Sequence, residues 1–405
     1  MVNGQTYTVQ LSPEKAAKYI KAIKRLLKQS QVPIKEFQKV TGKLQHASIG
    51  MPGGAGLFSP FYMALRGTPD IIYLGRFLKQ ALADWVHLLR NAATEPTSVL
   101  QLVEQQPNYI GYCDACKFGA SGVWFNGTSN LDYHVWQYEW PQDVRDNLKT
   151  ADNPKGTISI NDLEMAGLVM QWLVLECLVP TLCNTHVAIY CDNASTVSWS
   201  FKMAQSKSLV ASFLLRALGL RMHAVKSSPL QCLPIAGSDN SMADEASRQV
   251  PSNPAQSPSF TSLTSFFNTT FPLQQPNSWQ EFHLPNKLTS KIISCLRGKP
   301  LTLASWLRLP KPAHATGQNG HPSQNSLAWT PSSNMLTPLN ATSSSRPLLQ
   351  GSGVELSAEE NKSLLKRSDR RLLPSARPSN WLDNKVPSTE ETKSTPSPSN
   401  DASKG

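Results

Sequence analysis

Tyr112-Cys-Asp-Ala-Cys-Lys-Phe-Gly-Ala-Ser-Gly-Val-Trp124 is the stretch on which the fold of this 405-residue chain turns. An apolar run leads into Asp114, and Ala115, Gly119 and Gly122 are small enough for another backbone or a ligand to approach closely. Three later phrases each deliver a carboxylate at the edge of an element. They are Ile160-Asn-Asp-Leu-Glu-Met-Ala166, Val187-Ala-Ile-Tyr-Cys-Asp-Asn193 and Gly237-Ser-Asp-Asn-Ser-Met-Ala-Asp-Glu-Ala-Ser-Arg248.

Around these phrases, residues 108–248 read as an α/β region. Tyr109–Asp114, Ala120–Phe125 and Tyr133–Trp140 are short strand-like runs separated by Gly and Asn turn signals. A helix is expected over Asn161–Leu178, a buried strand over Val187–Tyr190, and a helix over Ser206–Gly219 ending at its glycine. Leu230–Ile235 supplies a last strand and Asn240–Arg248 a short helix. Three strands close in sequence, then alternating helices and strands, imply a mixed five-stranded sheet flanked by helices.

Each acid has a structural alternative. Asp114 could cap a turn, and Asp192 could form an Asx-turn with Asn193. Glu164 stands three residues after Asn161, where it could complete a capping box, and Asp162 competes with it. Asp244 opens a helix, where the dipole favours a carboxylate in any case. Taken together, Asp114, Glu164, Asp192 and Asp244 offer clustered hard oxygens of the kind a pair of divalent cations wants. Such a pair, about 3.5–4 Å apart, activates water and holds a leaving oxygen in phosphodiester hydrolysis.

Charge is divided along the chain. Residues 1–50 hold nine Lys/Arg against two Glu, whereas residues 105–250 hold ten Lys/Arg against thirteen Asp/Glu. The net charge of +11 and pI near 9.3 favour an anionic partner. Ser12-Pro13-Glu14 opens a helix whose polar face carries Lys15, Lys18, Lys21, Arg25 and Lys28, either a solvated face or a grip for a polyanion. A second helix follows Pro33 and a third spans Tyr73–Asn91. The glycines at 53, 54 and 56 lack the Lys-Ser/Thr ending of a phosphate-binding loop and are expected to shape a turn. Residues 1–104 are thus a basic helical region, 105–250 the α/β domain, and 251–320 a short helical extension. In 321–405, 18 Ser and 9 Pro mark a low-complexity tail expected to be disordered, with a basic run at Lys362–Arg371.

Seven cysteines, an odd number, do not form a disulfide framework, and Cys113 and Cys116 lack the further ligands a zinc site needs. No apolar run has the length of a membrane span and no secretory signal is visible, so a cytoplasmic or nuclear, non-secreted protein is expected.

The four phrases in order, with acids spaced by 50, 28 and 52 residues, resemble the ribonuclease H family, and its retroelement branch in particular. Leu11-Ser-Pro-Glu-Lys, Gly42-Lys-Leu-Gln-His-Ala and Gly56-Leu-Phe-Ser-Pro-Phe-Tyr resemble the thumb and connection region of retrotransposon reverse transcriptases, and the likeness covers roughly residues 5–250. The resemblance implies an RNase-H-like fold, cleavage of the RNA strand of RNA/DNA hybrids, and two Mg²⁺ ions, with Mn²⁺ as a substitute. It also implies roles: Asp114 bridging both ions, Glu164 and Asp192 completing one side, Asp244 the other. Asn193 and Asn240, beside these acids, join the lysine face as candidate nucleic-acid contacts.

The sequence departs from the pattern in three respects, one being that the tail holds no Arg/His-x-x-Arg…Tyr arrangement of a recombinase. No Tyr-x-Asp-Asp phrase occurs, so polymerisation is not expected, and Pro234-Ile-Ala-Gly237 offers no histidine before the last acid. An integrase-type site would place its glutamate last, whereas Glu164 is second. From another class, a non-catalytic module that grips nucleic acid or protein without cleaving is the rival.

Overall fold

The computed structural model describes residues 7–67, 69–126, 132–204, 207–254, 262–273 and 277–307, all in one compact unit; the Ser/Pro-rich tail at 321–405 lies outside them. Helix α1 (Pro13–Leu27) starts as its sequence dictates, with the Ser12 hydroxyl accepting from the Lys15 N–H and Pro13 in the first turn. It buries Ala16, Ile23 and Leu26, while α2 (Ile34–Ser48) buries Phe37, Val40 and Leu44. Helix α3 (Arg76–Thr94) begins three residues later than its apolar periodicity implies. Residues Ile71–Tyr73 instead pair antiparallel with Gln31–Pro33, and Gly75 in extended backbone separates strand from helix.

The central sheet contains β1 (Tyr109–Ala115), β2 (Gly119–Asn126), β3 (His134–Glu139), β4 (Val187–Cys191), β5 (Gln231–Pro234) and the two-residue β6 (Gln280–Glu281). Its order is β6-β3-β2-β1-β4-β5; β1, β2 and β3 form an antiparallel meander, and β4 and β5 run parallel to β1. Five strands come from the residues expected, and the sixth is an addition from the extension. Trp279 brings it there: the indole is wedged against Phe125, Tyr133 and Phe267 and donates to the Phe271 carbonyl, which lays the next two residues along β3.

Strand alternation divides the side chains between two faces. Helix α4 (Ile160–Leu178) covers one face, backed by α6 (Leu209–Val225); α5 (Ala194–Lys202) lies between them in sequence. Helix α7 (Ser241–Arg248) covers the other face with α8 (Leu263–Thr270). On the α4 face, the Gln171 amide donates to the Val123 carbonyl and accepts from the Trp136 indole. A Cβ at Gly111 or Gly122 would come within 2.3 or 2.2 Å of that amide. Gly122 therefore makes room for Gln171, and Gly119 for the Tyr138 carbonyl, not for a ligand.

Gly219 lies inside α6, which runs on to Val225, and so does not end it as its position in the sequence implies. The turn at Gly53 and Gly56 presses on α6 so closely that a Cβ at Gly219 would meet the Gly53 carbonyl at 2.3 Å. This contact is one of several that join the helical region to the sheet's helices in a continuous core. Another is the buried pair between Asp84 of α3 and Arg216 of α6, at 2.6 Å. Arg216 and Arg221 also donate to the carbonyls of Leu301 and Trp306, fastening the segment that follows α9 (Asn286–Leu296) and includes the short helix Leu303–Leu307.

Candidate metal centre and basic groove

Asp114 lies on the α7 face of β1 and Glu164 rises from α4 on the other, so the two meet only around the C-terminal end of β1. Asp114 is 5% exposed and accepts from the Ser247 hydroxyl at 2.6 Å. Burial pushes its pKa to about 6; the Ser247 hydrogen bond opposes this, and the negative charges of Asp192 and Asp244 add to it.

Glu164 is free of the capping role that its sequence position allows. The capping box is closed by Ser159 and Asp162, and Asp162 also accepts from Ser208. Glu164 is 7% exposed, receives one backbone N–H from Ala115, and keeps Oε2 buried without a hydrogen-bond partner. Burial, then the charges of Asp114, Cys191 and Asp192, push it up to about 10.

Asp192 follows β4 directly. Asn193 does not draw it into an Asx-turn; its own Oδ1 caps α5 by accepting from the Thr196 N–H, and its Nδ2 donates to Asn161. Asp192 Oδ2 faces Gly237 so closely that a Cβ there would stand 3.3 Å away. Asp244, on α7, pairs with Arg248 at 2.5 Å; burial raises its pKa, Arg248 opposes, and Asp192 adds to the rise.

The four acids are therefore brought together, Asp114 and Asp192 each within electrostatic reach of the other three. Oxygens of Glu164 and Asp192 lie within 4.8 Å of each other and of Cys191 Sγ, the one such group among the described residues. Cys191, the buried last residue of β4, has no role that the sequence reading assigns, yet its Sγ lies beside the Glu164 carboxylate of α4. Ser247 and Arg248, three and four residues after Asp244 and so about one turn further along the same helix, stand in the quoted Gly237–Arg248 phrase but have no role that the sequence reading assigns. Asn240 is 1% exposed and donates to the Cys113 carbonyl, which makes it a buried anchor of α7 with no face for nucleic acid.

Away from the acids, α1 and α2 enclose an open groove of about 940 Å³. Lys18, Lys21, Lys24, Arg25 and Lys28 line it from α1, Lys39 and Lys43 from α2, and Arg90 from α3, against the single acid Glu36. Arg25 is paired with Glu36 at 2.6 Å. Lys15 stands apart, lining a smaller cavity with Leu11, Tyr19 and His46. Lys39 and Lys43 are four residues apart on the polar face of α2, a spacing that reading both helices together would have caught.

No helix among the described residues is long and apolar enough to cross a membrane. No family model matches the chain, and no curated protein matches it in sequence. Three solved structures of the foamy viral protease-reverse transcriptase are similar to part of it, each at 13% identity over 56% of this chain. They are the dRH form with ds DNA (TM-score 0.22, 35% of that chain covered), the dsDNA complex (0.21, 42%) and the RNA/DNA hybrid complex (0.21, 27%). The likeness spans less than half of each of those chains and is too distant to fix an activity.

Proposed function

We propose that this chain is a retroelement-derived, metal-dependent endonuclease that cleaves the RNA strand of RNA/DNA hybrids. The observation that carries the reading is the convergence of Asp114, Glu164, Asp192 and Asp244 from two strands and two helices on the end of β1, with Glu164 Oε2 buried and unpartnered. A protein has little structural use for four mutually repelling carboxylates, two of them buried, and a buried oxygen left without a donor costs about 1–3 kcal/mol. Both are relieved by cations. The donor set, all carboxylate oxygens, fits Mg²⁺ or Mn²⁺. When bound, such ions polarise the scissile phosphate and activate water. The chain's own part is positional. Ser247 fixes Asp114, the Ala115 N–H fixes Glu164, and the Asn161–Asn193 pair holds the turn that carries Asp192. The β3-β2-β1-β4-β5 order, with α4 and α7 on opposite faces, agrees with the RNase-H-like architecture that the sequence motifs imply.

The Asp244–Arg248 pair at 2.5 Å favours a second reading, a remnant that grips nucleic acid without cutting it, since a neutralised acid is a poorer cation ligand. Incubating the full chain with a hybrid labelled on the RNA strand separates the two. Cleavage with Mg²⁺ and none with EDTA is expected; intact RNA under both conditions would favour the remnant.

The groove between α1 and α2 is the proposed grip for the phosphate backbone. Replacing Lys21, Lys39 and Lys43 with Ala should weaken hybrid binding for every sequence tested. The slope of log K against log salt should flatten by about three times 0.7–0.9, the usual value per neutralised phosphate. An unchanged slope would make the groove a merely solvated surface.

A further inference from the structure

The acids of the proposed centre are hard ligands, but the structure sets a thiol among them. Cys191 Sγ, a Glu164 oxygen and an Asp192 oxygen all lie within 4.8 Å of one another. A tetrahedral zinc ion, with bonds of about 2.3 Å to sulfur and about 2.0–2.2 Å to oxygen, spaces its ligand atoms roughly 3.5 Å apart. Side-chain shifts of about an ångström would close the set, with water completing it. Glu164 Oε2 has no donor to give up, and Asp192, the most open of the three, provides the way in.

We infer that Glu164, Cys191 and Asp192 form a binding site for a thiophilic dication of the zinc class. On binding, the metal takes the Cys191 sulfur as thiolate and the thiol proton leaves to solvent. The Cys113 thiol, already hydrogen-bonded to Cys191, remains beside it as a donor. Cys116 takes no part, because its Sγ is turned to the Ser247 carbonyl at 3.2 Å on the opposite face. Because Glu164 and Asp192 belong to both sets, zinc and Mg²⁺ would exclude each other. That consequence rests on the nuclease reading, whereas the site itself does not.

Cadmium serves as the probe, since a thiolate bound to it has an ultraviolet charge-transfer band. Titrating the metal-free full chain with Cd²⁺ should give that band, saturating at one equivalent and displaced by Zn²⁺. Cys191→Ser should abolish it, and Cys183→Ser, at an exposed cysteine, should leave it. Glu164→Gln keeps every thiol and should weaken Cd²⁺ binding at least about tenfold, so it carries the test if Cys191→Ser fails to fold. Asp114→Asn, outside the three-atom set, should retain the band. The same band and midpoint in Cys191→Ser, or undiminished affinity in Glu164→Gln, would overturn the inference. A chain that shows the band yet cleaves no hybrid would sink the nuclease reading and leave this site standing; cleavage without the band would do the reverse.

Discussion

Glu164→Gln is expected to make the metal-free protein more stable at neutral and alkaline pH, and to abolish its stabilisation by Mg²⁺. The Glu164 carboxyl is raised from 4.5 to about 10 by burial and by its acidic neighbours. Below about pH 4.5 it is protonated in both states and has no effect on the balance. Between that point and about 10 only the unfolded chain releases the proton, so stability falls as pH rises. At pH 7.5 the loss is on the order of 2–4 kcal/mol. Glutamine imitates the protonated acid and still accepts from the Ala115 N–H, so the loss disappears. In thermal melts with EDTA the variant should exceed wild type by roughly 5–10 °C at pH 7.5 and match it near pH 4. Mg²⁺ acts on wild type in the same direction, by displacing the proton, and should raise its melting temperature more at pH 8.5 than at pH 6.5. Asp114, raised to about 6, contributes the same dependence over a narrower window. A wild-type melting temperature that is flat with pH, and equal to the variant's, would show that Glu164 is not held against its charge.

The elements that could be read from the sequence are those whose pattern is local. Alternation in 109–115 and 119–126, the capped start of α1 and the Val187–Cys191 run all lie within a residue or so of their expected places. Errors arose where a distant partner decides. Gly219 resembles a helix terminator until the Gly53 turn is laid against it, and Tyr73 belongs to a strand only because Gln31 pairs with it. Gln280–Glu281 has no strand pattern at all; Trp279 carries it to the sheet. Within the site, the four acids could be read because each sits in a distinctive phrase. Whether Glu164 or Asp162 served the cap could not be decided by spacing, since Ser159 and Asn161 are both capable of capping. Cys191 escaped notice because a buried cysteine on a strand reads as a small hydrophobe until α4 places Glu164 above it.

Asp192→Asn should reduce hybrid cleavage by at least about 10³ while leaving the affinity for the hybrid within about twofold. Asp192 is the acid whose change should disturb the fold least: it is more open than Glu164, and the turn around it is held by Asn193 and Asn161. The amide keeps its shape and removes one charge from the cluster. The loss should therefore fall on the metal-dependent step, about 4 kcal/mol of transition-state stabilisation for a thousandfold effect, and not on the grip supplied by the distant lysines. The decisive measurement is the cleavage rate of an RNA-labelled hybrid by wild type and Asp192→Asn in saturating Mg²⁺, with binding of the same hybrid measured in EDTA. The account predicts fast, Mg²⁺-dependent cleavage by wild type, none detectable by the variant, and matched binding; equal cleavage by both proteins, or none by either, would contradict it.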